Sequence, residues 1–260
     1  MNLNHQKMLF MITMAAAVVF VSVPVRASET DTRIESSAQK SYVFKTYLKD
    51  DAVKAKSVDG VVTLTGTVAQ ESHKSLARET VASLPGVTRV DNQLELKGEH
   101  PAENSDGWLS MQVKSSLLFN RNVSGINTQV FVNDGVVTLR GEAANQAQKD
   151  LAAEYAKDIK GVKDVMNEMT IAKAVMEPVQ TMGEKIDDAS ITAQVKVALL
   201  SHHSTSAFKT GVETNDGVVT LSGNATNGAG KDMAGKVAAD INGVTNVVNN
   251  MNIDEKLSKN

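Results

Sequence analysis

The sequence predicts an α+β chain of three tandem small αββαβ domains, each with two helices on one face of a three-stranded sheet. Three observations predict it. The run Asn133-Asp134-Gly135-Val136-Val137-Thr138-Leu139-Arg140-Gly141 has a partner on either side: Asp59-Gly60-Val61-Val62-Thr63-Leu64-Thr65-Gly66 before it and Asn215-Asp216-Gly217-Val218-Val219-Thr220-Leu221-Ser222-Gly223 after it. A second glycine follows 26 residues after the first in every copy, at Gly86, Gly161 and Gly243. An alternating apolar stretch closes each copy. The repeat period is 75 residues and then 82, too long for a solenoid and right for separate small domains.

Each element has a local reason. The Asp-Gly pairs at Gly60, Gly135 and Gly217 sit between β-prone runs and predict two-residue hairpins, because a type I′ turn needs positive φ at both central residues. The second helix carries apolar positions at Leu76, Ala77, Val81 and Leu84, at Leu151, Ala152, Ala156 and Ile159, and at Met233, Ala234, Ala238 and Ile241. These spacings fall on one helical face. Gly86, Gly161 and Gly243 then stop the helix. The third strand alternates through Val90, Asn92, Leu94 and Leu96, and likewise around Asn167 and Asn249. These asparagines read as side chains that satisfy backbone groups, with a ligand contact as the alternative. Copies two and three open with clear first helices: Leu109, Val113 and Leu117 form one face, as do Ile191, Val195 and Leu199, with Asp106 and Ser190 (or Asp188) as candidate N-caps. In copy one only a short helix around Tyr42 and Leu48 is visible, so this copy reads as shortened.

The expected boundaries are a signal peptide at 1–27, a flexible leader at 28–39, domain one at 40–97, a linker at 98–105, domain two at 106–172, a linker at 173–186, domain three at 187–254 and a tail at 255–260. The linkers, with Pro101 and Pro178, are polar enough to let the domains move. The signal reading rests on Lys7, an almost unbroken apolar run over 8–23, and Val25-Arg26-Ala27 as a cleavage site after about Ala27. That run is shorter than the ~20 residues of a spanning helix. The chain is therefore expected to be exported and the segment removed.

Composition narrows the chemistry. There is no cysteine, so disulfides, thiolate metal sites and cysteine nucleophiles are excluded. Loss of Lys7 and Arg26 with the signal leaves 25 of the 27 basic residues against 30 acidic ones, net −5, which argues against a nucleic-acid partner. Residues 40–98 carry nine basic and seven acidic side chains, 106–172 seven and eight, and 187–254 four and seven. His73 reads as a surface residue, and His202-His203 as a solvated loop rather than a metal site. Gly228-Ala229-Gly230-Lys231 lacks the full spacing of a phosphate loop. No titratable residue recurs beside a base or nucleophile partner, so no catalytic residue, cofactor or metal is assigned.

One segment reads as a contact surface. Trp108, the single tryptophan, opens the first helix of copy two. With Leu109, Val113 and Leu117 facing the sheet, Trp108, Met111, Ser115 and Leu118 run along a neighbouring face flanked by Lys114 and Arg121. An amphipathic ring with basic neighbours suits a membrane interface. The competing reading, which the residues favour, has Trp108 cap its own domain core or pack against a neighbouring copy.

The order of elements, with D-G-V-V-T-L-x-G, a helix, then G-V-x-x-V-x-N-x-[ML]-x-[IL], resembles the BON domain family over residues 41–97, 106–172 and 187–254. The resemblance implies a non-enzymatic envelope protein linked to osmotic or related stress, with weak contacts to anionic phospholipid or unfolded protein, peripheral rather than membrane-spanning. An adaptor for a specific envelope protein, or a small-ligand or cation-binding module, are the alternatives.

Overall fold

The computed structural model describes residues 28–98, 101–123, 128–172, 185–202, 205 and 210–254. The expected signal peptide at 1–27, the tail at 255–260, residues 99–100 of the first linker and 173–184 of the second lie outside them. Copy one comprises α1 (Glu29–Lys40), α2 (Tyr42–Thr46), β1 (Ala52–Val58), β2 (Val61–Val68), α3 (Glu71–Ala82) and β3 (Arg89–Leu96). Copy two has α4 (Asp106–Leu118), β4 (Thr128–Asn133), β5 (Val136–Ala143), α5 (Gln146–Lys157), β6 (Asp164–Asn167) and β7 (Thr170–Ile171). Copy three has α6 (Asp188–Ser201), β8 (Thr210–Asn215), β9 (Val218–Ala225), α7 (Gly228–Ala239), β10 (Asn246–Asn249) and β11 (Asn252–Ile253).

In each sheet the second strand is central. It pairs antiparallel with the first strand and parallel with the third, reached through the second helix. The third strand is continuous in copy one and in two pieces in the others, with the same register on both sides of the break. One face of each sheet carries the core: Val62, Leu64 and Val68, then Val137, Leu139 and Ala143, then Val219, Leu221 and Ala225 are all buried. The two helices of the copy cover that face. Alternation with period two puts the threonines Thr63, Thr138 and Thr220 on the opposite face.

The Asp-Gly turns have φ of 51 and 75 at Asp59-Gly60, 51 and 79 at Asp134-Gly135, and 47 and 76 at Asp216-Gly217. Both central residues are left-handed, the type I′ geometry that matches strand twist. Gly86, Gly161 and Gly243 also have positive φ, at 91, 96 and 90. Asn92, Asn167 and Asn249 each donate Nδ2 to a carbonyl of the second helix (Lys74, Lys149 and Lys231). Each accepts on Oδ1 the amide two residues on. Each asparagine thus ties the third strand to the second helix.

Copy one differs from the sequence expectation. Residues 28–39 are not a flexible leader, and the domain does not begin at residue 40. Ser28 and Asp31 form a capping box that starts α1, with Ser28 Oγ accepting the Asp31 amide. Asp31 lies 29 residues before Gly60, as Asp106 does before Gly135 and Asp188 before Gly217. The copy is therefore not shortened. Its first helix is bent at Ser41, whose hydroxyl accepts the Phe44 amide and opens α2.

The helix caps are also reassigned. Ser105 and Asp187 cap α4 and α6. Asp106 and Asp188, one residue inside, reach across to the hairpin. Their carboxylates accept the amides of Asp134 and Gly135, and of Asp216 and Gly217, at 2.8 and 2.9 Å in each pair. Asp31 does the same with Asp59 and Gly60 and adds the hydroxyls of Ser57 and Ser28 at 2.6 and 2.7 Å. The Ser57 hydroxyl, the Gly60 amide and the Ser28 hydroxyl hold its carboxyl well below the usual carboxylate range, against the opposing effect of desolvation.

A folded-state value below the unfolded one means the unfolded chain takes up the proton first. The stabilisation from Asp31 is thus fully present above about pH 5 and is lost as pH falls through and below the ordinary carboxylate range. Asp31→Asn should be less stable than the parent at neutral pH, with the difference narrowing in acid. Urea midpoints measured from pH 7 down to pH 3 check this; a constant difference would contradict it.

Candidate contact surface

The three copies pack on one another, although polar linkers had implied freedom to move. Helix α6 is buried over nearly its whole length, from Ser190 to Leu199. A helix without a polar face must be covered on more than one side. Its own sheet covers one side and α3 of copy one covers another. Lys196, the one basic residue of α6, donates to Glu79 Oε2 at 3.0 Å. The amides of Tyr42 and Val43 donate to the Asp187 carboxylate and the Ser190 hydroxyl at 2.8 and 3.1 Å.

The copies meet at Tyr47, Phe119 and Gln194. Tyr47 packs edge-on against Phe119, 5.1 Å between centroids, and its hydroxyl donates to Gln194 Oε1 at 3.2 Å. Burial is the main reason its phenol is held protonated far above the usual range.

Copies two and three share a joint with approximate two-fold symmetry. Residues 120 and 202 are equivalent, as are 159 and 241. Asn120 bridges to Ile241 and His202 bridges to Ile159. His202, expected in a solvated loop, is 3% exposed. Its Nδ1 lies 2.8 Å from Asp158 Oδ2, its Nε2 lies 3.4 Å from Ser116 Oγ, and its ring meets Tyr155 edge-on. Tyr155 donates its hydroxyl to Asp240, and burial and that carboxylate raise its pKa well above the ordinary phenol range. Among the described residues no group of three or more His, Asp or Glu side chains is placed to hold a metal ion. His73 is not a plain surface residue either: its Nδ1 lies 2.6 Å from Asp51 Oδ2, and the Asp51 side chain is 3% exposed.

The residues singled out on α4 divide between these environments. Trp108 follows the Ser105 cap, is half-buried, and packs against the core. Met111 is half-buried and Lys114 is exposed. Ser115 is buried and donates to Ser72 Oγ of copy one at 3.0 Å, so the middle of this face is an internal contact. Leu118 packs against the core. Arg121 belongs to the joint. Its amide donates to Asp240 O at 2.8 Å, Nη1 donates to Val244 O at 2.8 Å, and Nη2 donates to Ala239 O. The contact with Ala239, the last residue of α7, places a guanidinium at the negative end of that helix. Of the residues singled out, Lys114 is exposed, with Trp108 and Met111 half-buried on the same helix.

The electrostatics of copy one also change. Arg33 and the three acids Glu29, Asp31 and Glu35 join the nine basic and seven acidic residues of 40–98. Its net charge is zero rather than +2.

Sequence reasoning had not singled out Tyr47, Gln194, Tyr155 or Asp240 as contact residues. The one available signal was the apolar character of α4 and α6 on more than one face.

The repeated carboxylate-to-turn and asparagine-to-helix bonds give all three copies one construction. The sequence profile of the BON domain matches residues 30–98, 105–173 and 187–255. The chain belongs to the BON domain family. The first match starts inside α1, in agreement with the helix that opens copy one. The chain is 28% identical to the osmotically-inducible protein Y of Escherichia coli K12, over 72% of this chain and 88% of that protein. It is 31% identical to the outer membrane lipoprotein DolP of Haemophilus influenzae, over 53% of this chain and 75% of that protein. It is 30% identical to a 21 kDa hemolysin of Actinobacillus pleuropneumoniae, over 55% and 77% respectively. No helix among the described residues of this BON chain is long and apolar enough to cross a membrane.

Proposed function

We propose that this BON-repeat chain is a non-enzymatic periplasmic protein that supports the cell envelope under osmotic or related stress by weak contact with anionic phospholipid. The observation that carries the reading is the exposed Lys114 with the half-buried Trp108 and Met111 beside it on α4. An indole at a helix start, an adjacent thioether and an exposed ammonium match the layered polarity of a membrane interface. The relatives' names support the setting: one is osmotically inducible and another is an outer membrane lipoprotein. With Arg121 engaged in the joint and copy one neutral, the attraction is modest. A near-surface basic residue contributes on the order of 1 kcal/mol, so binding should be weak and salt-sensitive.

Co-sedimentation with phosphatidylglycerol vesicles at low and high salt tests this. The protein should pellet with the vesicles at low salt and be released at high salt. Trp108→Ala should reduce the bound fraction several-fold while its circular dichroism matches the parent. Equal pelleting of the two proteins would overturn the assignment of the contact to α4.

A further inference from the structure

The three first strands are edge strands, and the copies guard them differently. A two-residue hairpin is closed by a hydrogen-bonded pair, which sets the phase of the ladder. In β8 that places Asn215, Glu213 and Gly211 against β9, and turns the N–H and C=O of Thr214 and Val212 outward. The equivalent outward groups in the other copies are covered from the first helix. The Ser57 amide donates to Glu35 Oε1 at 2.9 Å, and the Val130 carbonyl accepts from Ser110 Oγ at 3.2 Å. In copy three the matching helix residue is Thr192. Its hydroxyl goes to Thr214 Oγ1 at 2.7 Å instead. No protein group among the described residues bonds the Thr214 amide or the Val212 carbonyl.

That uncovered edge lines a groove of about 380 Å³. Its floor is α6, through Asp188, Thr192 and Lys196, and its far wall is Ala82 and Ser83 at the end of α3. The small residues on the far wall leave a slot beside the strand rather than a closed contact. The charge around the groove is negative. The Asp188 carboxylate lines it while accepting the turn amides, Glu213 carries an exposed carboxylate on the outer face of the edge strand, and the Lys196 ammonium is held by Glu79.

We propose that this groove binds an extended polypeptide segment, which adds as a strand to the β8 edge and alternates basic with small apolar side chains. The alternation follows from the pleat. A residue opposite Glu213 shares the outer face with its carboxylate and favours Lys or Arg. Its neighbours point to the helix layer, where Ala82 and Thr192 leave room for a valine or alanine. Main-chain bonds to Val212 and Thr214 supply affinity without reading sequence, as in other strand-addition sites. The site lies between copies one and three and exists only because they pack. It does not depend on the vesicle reading.

The test is fluorescence anisotropy with a labelled acetyl-Val-Lys-Val-Lys-Val-amide peptide, followed in parallel by the NMR shift of the Thr214 amide. Binding should saturate and move that amide. The Glu-for-Lys peptide should bind about tenfold more weakly, because it sets like charges across the strand pair. A peptide N-methylated at the central residues should not bind, a control that leaves the protein untouched. Ala82→Trp, which fills the slot, should abolish binding while vesicle sedimentation is unchanged. Absence of saturation, equal binding by the N-methylated peptide, or unaltered binding by Ala82→Trp would overturn the proposal. So would self-association of the protein that Ala82→Trp removes, since the occupant would then be a second copy.

Discussion

Gly66→Ala is expected to destabilise copy one by about 2–4 kcal/mol. Gly66 has φ of 116 and sits in the middle of β2, paired with Val53 of β1. An added Cβ would stand 1.7 Å from the Ala52 carbonyl oxygen and 2.9 Å from its carbon. Backbone cannot yield as a flexible side chain does, so β1 must lift away from β2. That movement draws Val53 from the core it packs against and breaks the neighbouring Ala52–Thr67 pair. Gly98→Ala is the control. Its φ of 81 carries similar strain, yet nothing lies within 4 Å of an added Cβ. It should cost about 1 kcal/mol or less. Urea unfolding of the two variants separates clash from strain; equal midpoints would show that the close approach is not what keeps glycine there.

His202→Ala is expected to loosen the joint between copies two and three at a cost of about 3 kcal/mol. The imidazole is enclosed by Tyr155, Asp158 and Ser116, and its backbone bridges to Ile159. Truncation opens a cavity at the joint and removes the hydrogen-bonding partner that Asp158 and Ser116 share. The cores of the two copies, built from Leu139 and Leu221 and their neighbours, are not touched. Thermal unfolding should therefore split, with copies two and three melting separately instead of together. His73→Ala is the matched control. It removes a histidine–aspartate pair inside copy one and should leave the coupling of copies two and three intact. A single unshifted transition in His202→Ala would mean the joint contributes nothing to cooperativity.

The core of each copy was legible because its constraints are local. A type I′ turn demands Asp-Gly, a helix stop demands glycine, and period-two alternation marks the strands. The same logic exposed the asparagines, whose repeated offset from the second helix has a backbone explanation. Helix α1 was hidden because only Ile34 and Ala38 of its residues carry the apolar stripe, amid Glu29, Asp31, Arg33 and Glu35. The spacing of Asp31 to Gly60, equal to that in the other copies, was the signal that would have found it.

The candidate surface was legible only in part. Trp108 stood out by its uniqueness. That Arg121 reaches the end of α7, and that Ser115 meets Ser72, depends on how separate copies dock, which no local pattern encodes. The apolar character of α4 and α6 on several faces pointed to that docking without naming its partners. The construction common to all copies therefore accounts for stability. The features that differ between them, Trp108 on α4 and the uncovered β8 edge, are where binding is assigned.

The emission of Trp108 tests the central claim most directly. It is the only tryptophan, so its spectrum reports this one site. On addition of phosphatidylglycerol vesicles at low salt, the emission should shift to shorter wavelength and become protected from acrylamide, and both changes should reverse at high salt. Unchanged emission and unchanged quenching under conditions where the protein sediments with the vesicles would contradict the assignment of the membrane contact to α4.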